Sequence, residues 1–143
     1  MSETVSIDRA TDALLVIDVQ NDFCPGGALA VSDGDAVVPA INRLMPVFDE
    51  VLLTQDWHPA GHQSFASAHP GKAPFSTVRL AYGEQTLWPD HCVQGSPGAD
   101  VHASLNAAAA RLVIRKGFRP GIDSYSAFFE NDRRTPTGLG GYL

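Results

Sequence analysis

The sequence contains few cysteines, few basic residues and no long apolar run, and each shortage argues against a class of protein. Its two cysteines, Cys24 and Cys92, are too few for the disulfide framework of a small secreted domain, which favours a reducing, cytoplasmic location. No apolar segment approaches the roughly 20 residues of a membrane-spanning helix, and no secretory signal is visible at the N-terminus. The formal net charge of −6 argues against nucleic acid and anionic membranes as partners.

The remaining composition is typical of one globular domain. The 143 residues are 44% hydrophobic and 18% charged, which suits an ordinary folded core. Residues 1–12 are polar, and we expect them to be frayed. We expect residues 13–143 to form the N-terminal part of a single longer domain, because the predicted sheet is small and residues 117–143 show no clear element.

The order of apolar segments predicts an α/β fold with a parallel sheet and helices on both faces. Apolar residues recur at helical spacing over 35–48, and an alanine-rich segment predicts a short helix over about 100–110. Residues 59–98 form a long irregular stretch, and their aromatic and histidine residues favour a functional role for it. Short apolar runs bounded by loops indicate three strands, at 14–19, 51–54 and 112–115.

Charged residues stand at the ends of two of these strands. Asp18 closes the first strand and Lys116 follows the third, and open α/β sheets bind ligands just beyond such carboxyl ends. Because each charge favours the ionised form of the other, the pair could activate a third group such as a thiol. The alternatives are a structural ion pair, or an Asp18 that only caps the following loop.

A carboxylate and several histidines follow the second strand. Asp56 and His58 are two residues apart, so in an extended chain both side chains point the same way and can reach one ion. His62, His69 and His91 lie further along the loop. Two histidines and one carboxylate suit zinc and also Fe(II) or Mn(II), whereas idle surface histidines are the alternative interpretation.

Aromatic residues flank the loops that carry these polar groups. Phe23 and Trp88 could stack on a planar heteroaromatic substrate, or could simply pack in the core. Tyr125, in the neighbouring loop, is a further candidate for substrate contact, whereas Trp57 is expected to pack beneath the histidines.

Four stretches in register resemble the motifs of nicotinamidases, within the isochorismatase-like cysteine hydrolases. The resemblance runs from about residue 12 to the end of the chain and implies a three-layer α/β/α isochorismatase-like fold. It also implies a metal-dependent amidohydrolase that converts nicotinamide to nicotinate and ammonia. The four stretches are ALLVIDVQNDFCPGG at 13–27, TQDWHPAGH at 54–62, LWPDHCVQG at 87–95 and VIRKG at 113–117.

The resemblance implies an Asp-Lys-Cys catalytic triad, of which two members are present. Asp18 and Lys116 match its first two positions. The family cysteine sits in a segment like Ala-Thr-Asp-Tyr-Cys-Val, which does not occur here. Cys24 and Cys92 match other motif positions, so we expect the nucleophile downstream of this chain and residues 1–143 to be inactive alone.

The resemblance also implies a metal and a substrate site. Asp56, His58 and His91 match the family's ligands to one divalent ion, with zinc favoured over iron or manganese, and His62 is left open as a further ligand. The ion would bind the pyridine nitrogen of nicotinamide. Phe23 and Trp88 match the positions that sandwich the ring.

Three alternatives to nicotinamide hydrolysis stay open. The chain could act on another small amide, like relatives that use isochorismate, N-carbamoylsarcosine or ureidoacrylate. It could be a non-catalytic metal- or ligand-binding module, since it lacks the thiol. It could also be a metal-water hydrolase whose activity survives thiol alkylation but not chelation. The expected partner is a small molecule, and a homo-oligomer is also open.

Overall fold

The computed structural model describes residues 5–143, so the first four residues of the predicted frayed segment 1–12 lie outside the described residues. The part from residue 5 to residue 12 contains neither helix nor strand. Arg9 nevertheless forms an ion pair with Asp49 and donates a hydrogen bond to the carbonyl of Pro46 at 3.0 Å. These contacts tie the segment to the chain that enters the central strand.

A three-stranded parallel sheet forms the centre of the fold, in the order β1-β2-β5. Its register pairs Val16 with Leu53, and Asp56 with Lys116. Among the described residues, no helix is both long enough and apolar enough to cross a membrane. The elements are β1 (Ala13–Val16), α1 (Val38–Leu44), β2 (Glu50–Asp56), β3 (Thr77–Leu80), β4 (Gly83–Thr86), β5 (Leu112–Lys116) and α2 (Leu139–Tyr142).

Both faces of the sheet are covered, which explains why β2 is buried over almost its whole length. Successive strand residues point to opposite faces, so Leu53 packs on the side of α1 with Val38 and Met45. Leu52 packs on the other side with Leu139 of α2. The predicted α/β fold, with a parallel sheet and helices on both faces, is confirmed.

The first strand and the first helix are shorter than the sequence predicts. β1 ends at Val16 rather than at residue 19, because Asp18 adopts a left-handed backbone conformation (φ +48°) that turns the chain out of the sheet. The predicted helix over 35–48 contains α1 flanked by two 3₁₀ turns, Gly34–Val37 and Met45–Val47.

The predicted helix over 100–110 is wrong. The chain instead makes a β-bridge between Val101 and Gln20, and only Ala107–Ala109 forms a 3₁₀ turn. Its backbone groups are used elsewhere, because the amide of His102 donates to Val19 and the amide of Asn106 donates to the Asn42 side chain. These tertiary hydrogen bonds outweigh the weak helix preference of an alanine-rich segment.

The long loop over 59–98 contains an antiparallel hairpin that the sequence does not predict. Strands β3 and β4 pair Thr77 with Thr86 and Leu80 with Gly83. Each strand has only four residues: β3 (TVRL) alternates polar and apolar residues briefly, whereas β4 (GEQT) contains no apolar side chain and carries no strand pattern. The hairpin matters for the site, because β4 leads directly to Trp88.

Candidate active site

Three charged side chains meet at the carboxyl end of the sheet. Asp18 follows β1, Asp56 ends β2 and Lys116 ends β5. The Lys116 Nζ lies 2.7 Å from Asp18 Oδ2, forms a second ion pair with Asp56 Oδ1, and donates to the carbonyl of Ser124 at 3.2 Å. The three ammonium donors of the lysine are therefore all used, which fixes its position between the two carboxylates.

Two hydrogen bonds with Thr54 hold Asp18 in position within this charged cluster. The hydroxyl of Thr54 donates to Asp18 Oδ1 at 2.6 Å, and the Asp18 amide donates to the same hydroxyl oxygen at 3.1 Å. Its left-handed backbone is tolerated by aspartate and is the kind of local strain that concentrates at functional sites. Burial raises the pKa of Asp18 above its usual value, and Lys116 opposes this only in part, so the carboxylate is a better proton acceptor than an exposed one.

The other two charges are fixed in their ionised forms. Burial alone would raise the pKa of Asp56, but the neighbouring His58 and the charge and hydrogen bond of Lys116 outweigh burial and lower it to about 2. Burial likewise disfavours the charged lysine, yet Asp56 and Asp18 together raise the pKa of Lys116 above its usual value. Asp56 therefore stays a carboxylate and Lys116 stays an ammonium at neutral pH.

A set of metal donors adjoins the lysine on its Asp56 side. Asp56 Oδ2 lies 3.7 Å from His58 Nε2 and 3.8 Å from His91 Nε2. These three donor atoms all lie within 4.8 Å of one another, and the residues are buried. One carboxylate and two imidazoles at this spacing could hold a tetrahedral ion with a position left open.

Backbone carbonyls orient both histidines toward this point. A carbonyl can only accept, so His58 Nδ1–H donates to Gly117 and His91 Nδ1–H donates to Pro89, each at 2.8 Å. This leaves the Nε2 lone pairs facing Asp56. Histidines that bind a metal are usually oriented in this way, by donating their other ring N–H to a carbonyl or carboxylate. Burial lowers the pKa of His91, which favours its neutral form, whereas the nearby carboxylates of Asp56 and Asp123 outweigh burial and raise the pKa of His58.

The other two loop histidines have structural partners instead. His62 Nδ1 accepts from the amide of Ser64 at 3.1 Å, while Nε2–H donates to the carbonyl of Arg119 at 2.9 Å. Both of its nitrogens are occupied, which argues against His62 as a fourth ligand although it lies near His58. His69 donates to the carbonyl of Gln63 at 2.8 Å. It lies outside the set of Asp56, His58 and His91 and outside a second group of possible donors, His58, His62 and Asp123.

The polar cluster opens into a cavity with aromatic walls. Phe23 meets His91 edge to face at 5.6 Å between ring centroids, and Trp88 meets Tyr125 at 6.2 Å with an interplanar angle of 75°. A larger cavity of about 740 Å³ shares Tyr125 but none of the lysine or metal donors. The site cavity has a volume of about 210 Å³ and is lined by Asp18, Phe23, Leu29, Asp56, Trp88, His91, Lys116, Asp123 and Tyr125.

Asp123 is a site residue that sequence reasoning missed. Its buried carboxylate lines the cavity, and Oδ1 lies 3.9 Å from His58 Nε2. The only local signal was its position two residues before Tyr125, in a segment with no predicted element. Together with Asp18 and Asp56 it gives the cavity three formal negative charges against the single charge of Lys116, a balance that one divalent cation would neutralise.

Neither cysteine has the surroundings of an activated nucleophile. Cys24 and Cys92 are buried free thiols, and burial raises the pKa of each above its usual value. A thiol is reactive as the thiolate, which a positive environment favours and an apolar one disfavours. The two cysteines therefore fit structural roles, in line with their motif positions.

The His58 ring packs so closely on Gly117 that no side chain fits at this position, and a substitution of Gly117 tests this contact. An added Cβ would lie 2.4 Å from His58 Cε1, and the backbone φ of +67° disfavours any side chain. We expect Gly117→Ala to lower the free energy of unfolding by about 1–3 kcal/mol, measured by urea denaturation. Gly121→Ala is the matched control, since a Cβ there would meet nothing within 4 Å. Equal stabilities of the two variants would contradict the close packing of His58 against Gly117.

The chain is similar in sequence and fold to several known proteins. The chain is 59% identical over 131 residues to a nicotinamidase of Acinetobacter baylyi, covering 92% of this chain and 61% of that protein. A solved nicotinamidase–pyrazinamidase of Acinetobacter baumanii superposes with a TM-score of 0.89 at 59% identity, covering 91% of this chain and 63% of that one. A pyrazinamidase of Pyrococcus horikoshii, in complex with zinc, superposes with a TM-score of 0.60 at 36% identity, covering 79% of this chain and 55% of that one.

The chain thus spans about three-fifths of the length of the Acinetobacter relatives. Residues 12–132 match the isochorismatase domain, which is most of the chain and includes every residue of the site described above. The sheet order, the charged cluster at its carboxyl end and this match lead to one conclusion. The chain belongs to the isochorismatase family, and the two Acinetobacter relatives described above are nicotinamidases.

Proposed function

We propose that this chain forms the nicotinamide-binding part of a metal-dependent amidohydrolase that converts nicotinamide to nicotinate and ammonia. One observation carries the proposal: an acid–lysine pair, two of the three metal donors (Asp56 and His91) and aromatic rings line the same cavity of about 210 Å³. The nicotinamidase relatives support the choice of substrate. A small-molecule partner and a cytoplasmic location fit this function.

The aromatic walls would hold the pyridine ring. Phe23 and Trp88 are half-buried, so each leaves part of its ring free for a ligand while its packing keeps the ring in place. Stacking contacts of this kind contribute about 0.5–1.5 kcal/mol each beyond area burial. Tyr125 would extend this aromatic wall of the cavity, beside Trp88.

The buried donors Asp56, His58 and His91 would hold one divalent ion, and we propose zinc, which the Pyrococcus horikoshii pyrazinamidase binds. Iron and manganese also suit such a ligand set. When bound, the ion supplies a Lewis-acid contact for the ring nitrogen, which orients the substrate. Asp56 would link the two halves of the site, because one oxygen faces Lys116 and the other faces the histidines.

Asp18 and Lys116 would carry the proton chemistry. Asp18 takes the proton of a thiol, the thiolate attacks the amide carbonyl, and the proton passes to the amide nitrogen as ammonia leaves. Water then cleaves the thioester to give nicotinate. Lys116 holds Asp18 in position and stabilises the negative charge that develops. Because neither Cys24 nor Cys92 is activated, we propose that the thiol belongs to a segment equivalent to the part of the relatives that this chain does not match.

Removing the Trp88 ring tests the proposed substrate site. We expect Trp88→Ala to weaken nicotinamide binding by zinc-loaded protein about tenfold, because stacking and buried ring area are lost together. Isothermal titration calorimetry would give the dissociation constants. Phe118→Ala is the control, since that aromatic side chain is exposed and lies outside the cavity. An unchanged dissociation constant for Trp88→Ala would contradict the proposed ring position.

The second candidate is a non-catalytic metal- or ligand-binding module, which the lack of an activated thiol among residues 5–143 favours. Ammonia release by the chain alone separates both of these functions from a metal-water hydrolase. We expect the 143-residue chain to bind nicotinamide and release no ammonia by itself. Ammonia release that survives iodoacetamide but not EDTA would contradict the thiol route and support a metal-water hydrolase.

A further inference from the structure

A buried amide on the unpredicted hairpin connects several parts of the cavity wall. Gln85 of β4 is 1% exposed. Its Nε2 donates to the Thr86 carbonyl at 2.6 Å, to the hydroxyl oxygen of Tyr125 at 2.9 Å and to Asp123 Oδ2 at 3.1 Å, so its two N–H groups are shared among three acceptors. Its Oε1 accepts from the hydroxyl of Tyr82 at 2.8 Å and from the Asn131 side chain at 3.3 Å. One side chain therefore joins the hairpin to two residues that line the substrate cavity.

The chemistry of its partners fixes which way this amide points. The carboxylate of Asp123 accepts hydrogen bonds, so it requires the N–H side of Gln85. The opposite side then faces the hydroxyl of Tyr82, which donates to Oε1. Tyr82 also accepts from the Asp123 amide at 3.3 Å, so the hairpin holds both the backbone and the carboxylate of Asp123.

We propose that Gln85 is a positioning residue for substrate binding, which orients Tyr125 and Asp123 in the cavity wall. Its partner Tyr125 packs edge to face on Trp88, which follows β4 only two residues after Thr86. Losing the Gln85 donor would free the Tyr125 hydroxyl and leave the buried Asp123 carboxylate with one hydrogen bond fewer. Both wall residues would then shift relative to the substrate ring.

The inference rests on the proposed function, because the ligand of the wall is taken to be nicotinamide. It adds a residue that touches neither substrate nor metal ion and acts through Tyr125 and Asp123. Buried donors and acceptors that lose their partner cost about 1–3 kcal/mol each, so the effect on an ordered wall should be measurable.

The test compares Gln85→Glu with Gln63→Glu, both in a Trp57→Phe background that leaves Trp88 as the only tryptophan. Gln85→Glu keeps the shape and the acceptor for Tyr82 but replaces the donor that faces Asp123. Gln63 is exposed and its side chain lies outside the cavity, so the control introduces the same charge elsewhere. The readouts are nicotinamide affinity of zinc-loaded protein by calorimetry and acrylamide quenching of Trp88 fluorescence.

We expect Gln85→Glu to raise the nicotinamide dissociation constant about tenfold and to increase quenching of Trp88, while the control changes neither. An unchanged affinity and unchanged quenching would overturn the inference. Should the parent protein fail to bind nicotinamide, the proposed function itself fails, and the quenching result still decides whether Gln85 orders the wall. If Gln85→Glu does not fold, Tyr82→Phe removes the donor to Gln85 Oε1 and should produce smaller shifts in the same direction.

Discussion

Replacing Lys116 by methionine should lower the free energy of unfolding by about 3–5 kcal/mol, the usual effect of removing one partner of a buried ion pair. The Lys116 side chain is 3% exposed, and its ammonium stands between two carboxylates. Methionine fills a similar volume but leaves Asp18 and Asp56 facing each other without a cation. Urea denaturation of metal-free protein in EDTA gives the value.

The exposed Lys72 provides the matched control, because Lys72→Met makes the same chemical change at the surface. Surface substitutions usually stay within about 0.5 kcal/mol. If Lys116→Met were no less stable than Lys72→Met, the two carboxylates could not both be ionised around the lysine. The proton-accepting role proposed for Asp18 would then lose its basis.

Replacing His91 by alanine should weaken zinc binding by about 100-fold or more. Second-shell changes alone cost about 10–100-fold in metal affinity, and His91 is proposed as a direct ligand. Its side chain is 4% exposed, and Nε2 lies 3.8 Å from Asp56 Oδ2. Competition with a chromophoric chelator measures the affinity without depending on catalysis.

His69→Ala removes a histidine of the same loop that lies outside the donor sets, so it should bind zinc like the parent protein. Equal affinities of the His91 and His69 variants would show that the ion, if bound, is held elsewhere. Zinc binding that is lost in both variants would point to a general loss of the folded loop, which circular dichroism would detect.

The features that could be predicted from the sequence are those with a local signal. An apolar strand that ends in an acid identifies Asp18, and a strand followed by an acid and a histidine two residues apart identifies Asp56 and His58. The parallel register also brings Asp56 beside Lys116, whereas the sequence paired Lys116 with Asp18 alone, because β2 lies between β1 and β5. Four motifs in register pointed to the family, which the domain match shows.

The features that were missed depend on contacts between distant segments. Gln20 bridges the ends of β1 and β2 by accepting from the Asp56 amide and donating to its carbonyl, both at 2.8 Å, although no strand pattern marks it. Asp123 and Gln85 meet across 38 positions of sequence in polar segments without periodicity. The alanine-rich segment over 100–110 misled for the converse reason, because its local preference was overruled by its tertiary hydrogen bonds.

The measurement that tests the account most directly is calorimetric titration of nicotinamide into zinc-loaded protein and into the same protein stripped with EDTA. We expect saturable one-to-one binding with zinc and a clear loss of affinity without it, because ring stacking and the ion would act on the same ligand. No binding by the zinc-loaded protein, or equal affinity in the stripped protein, would contradict the proposal that the aromatic walls and the metal donors form a single nicotinamide site.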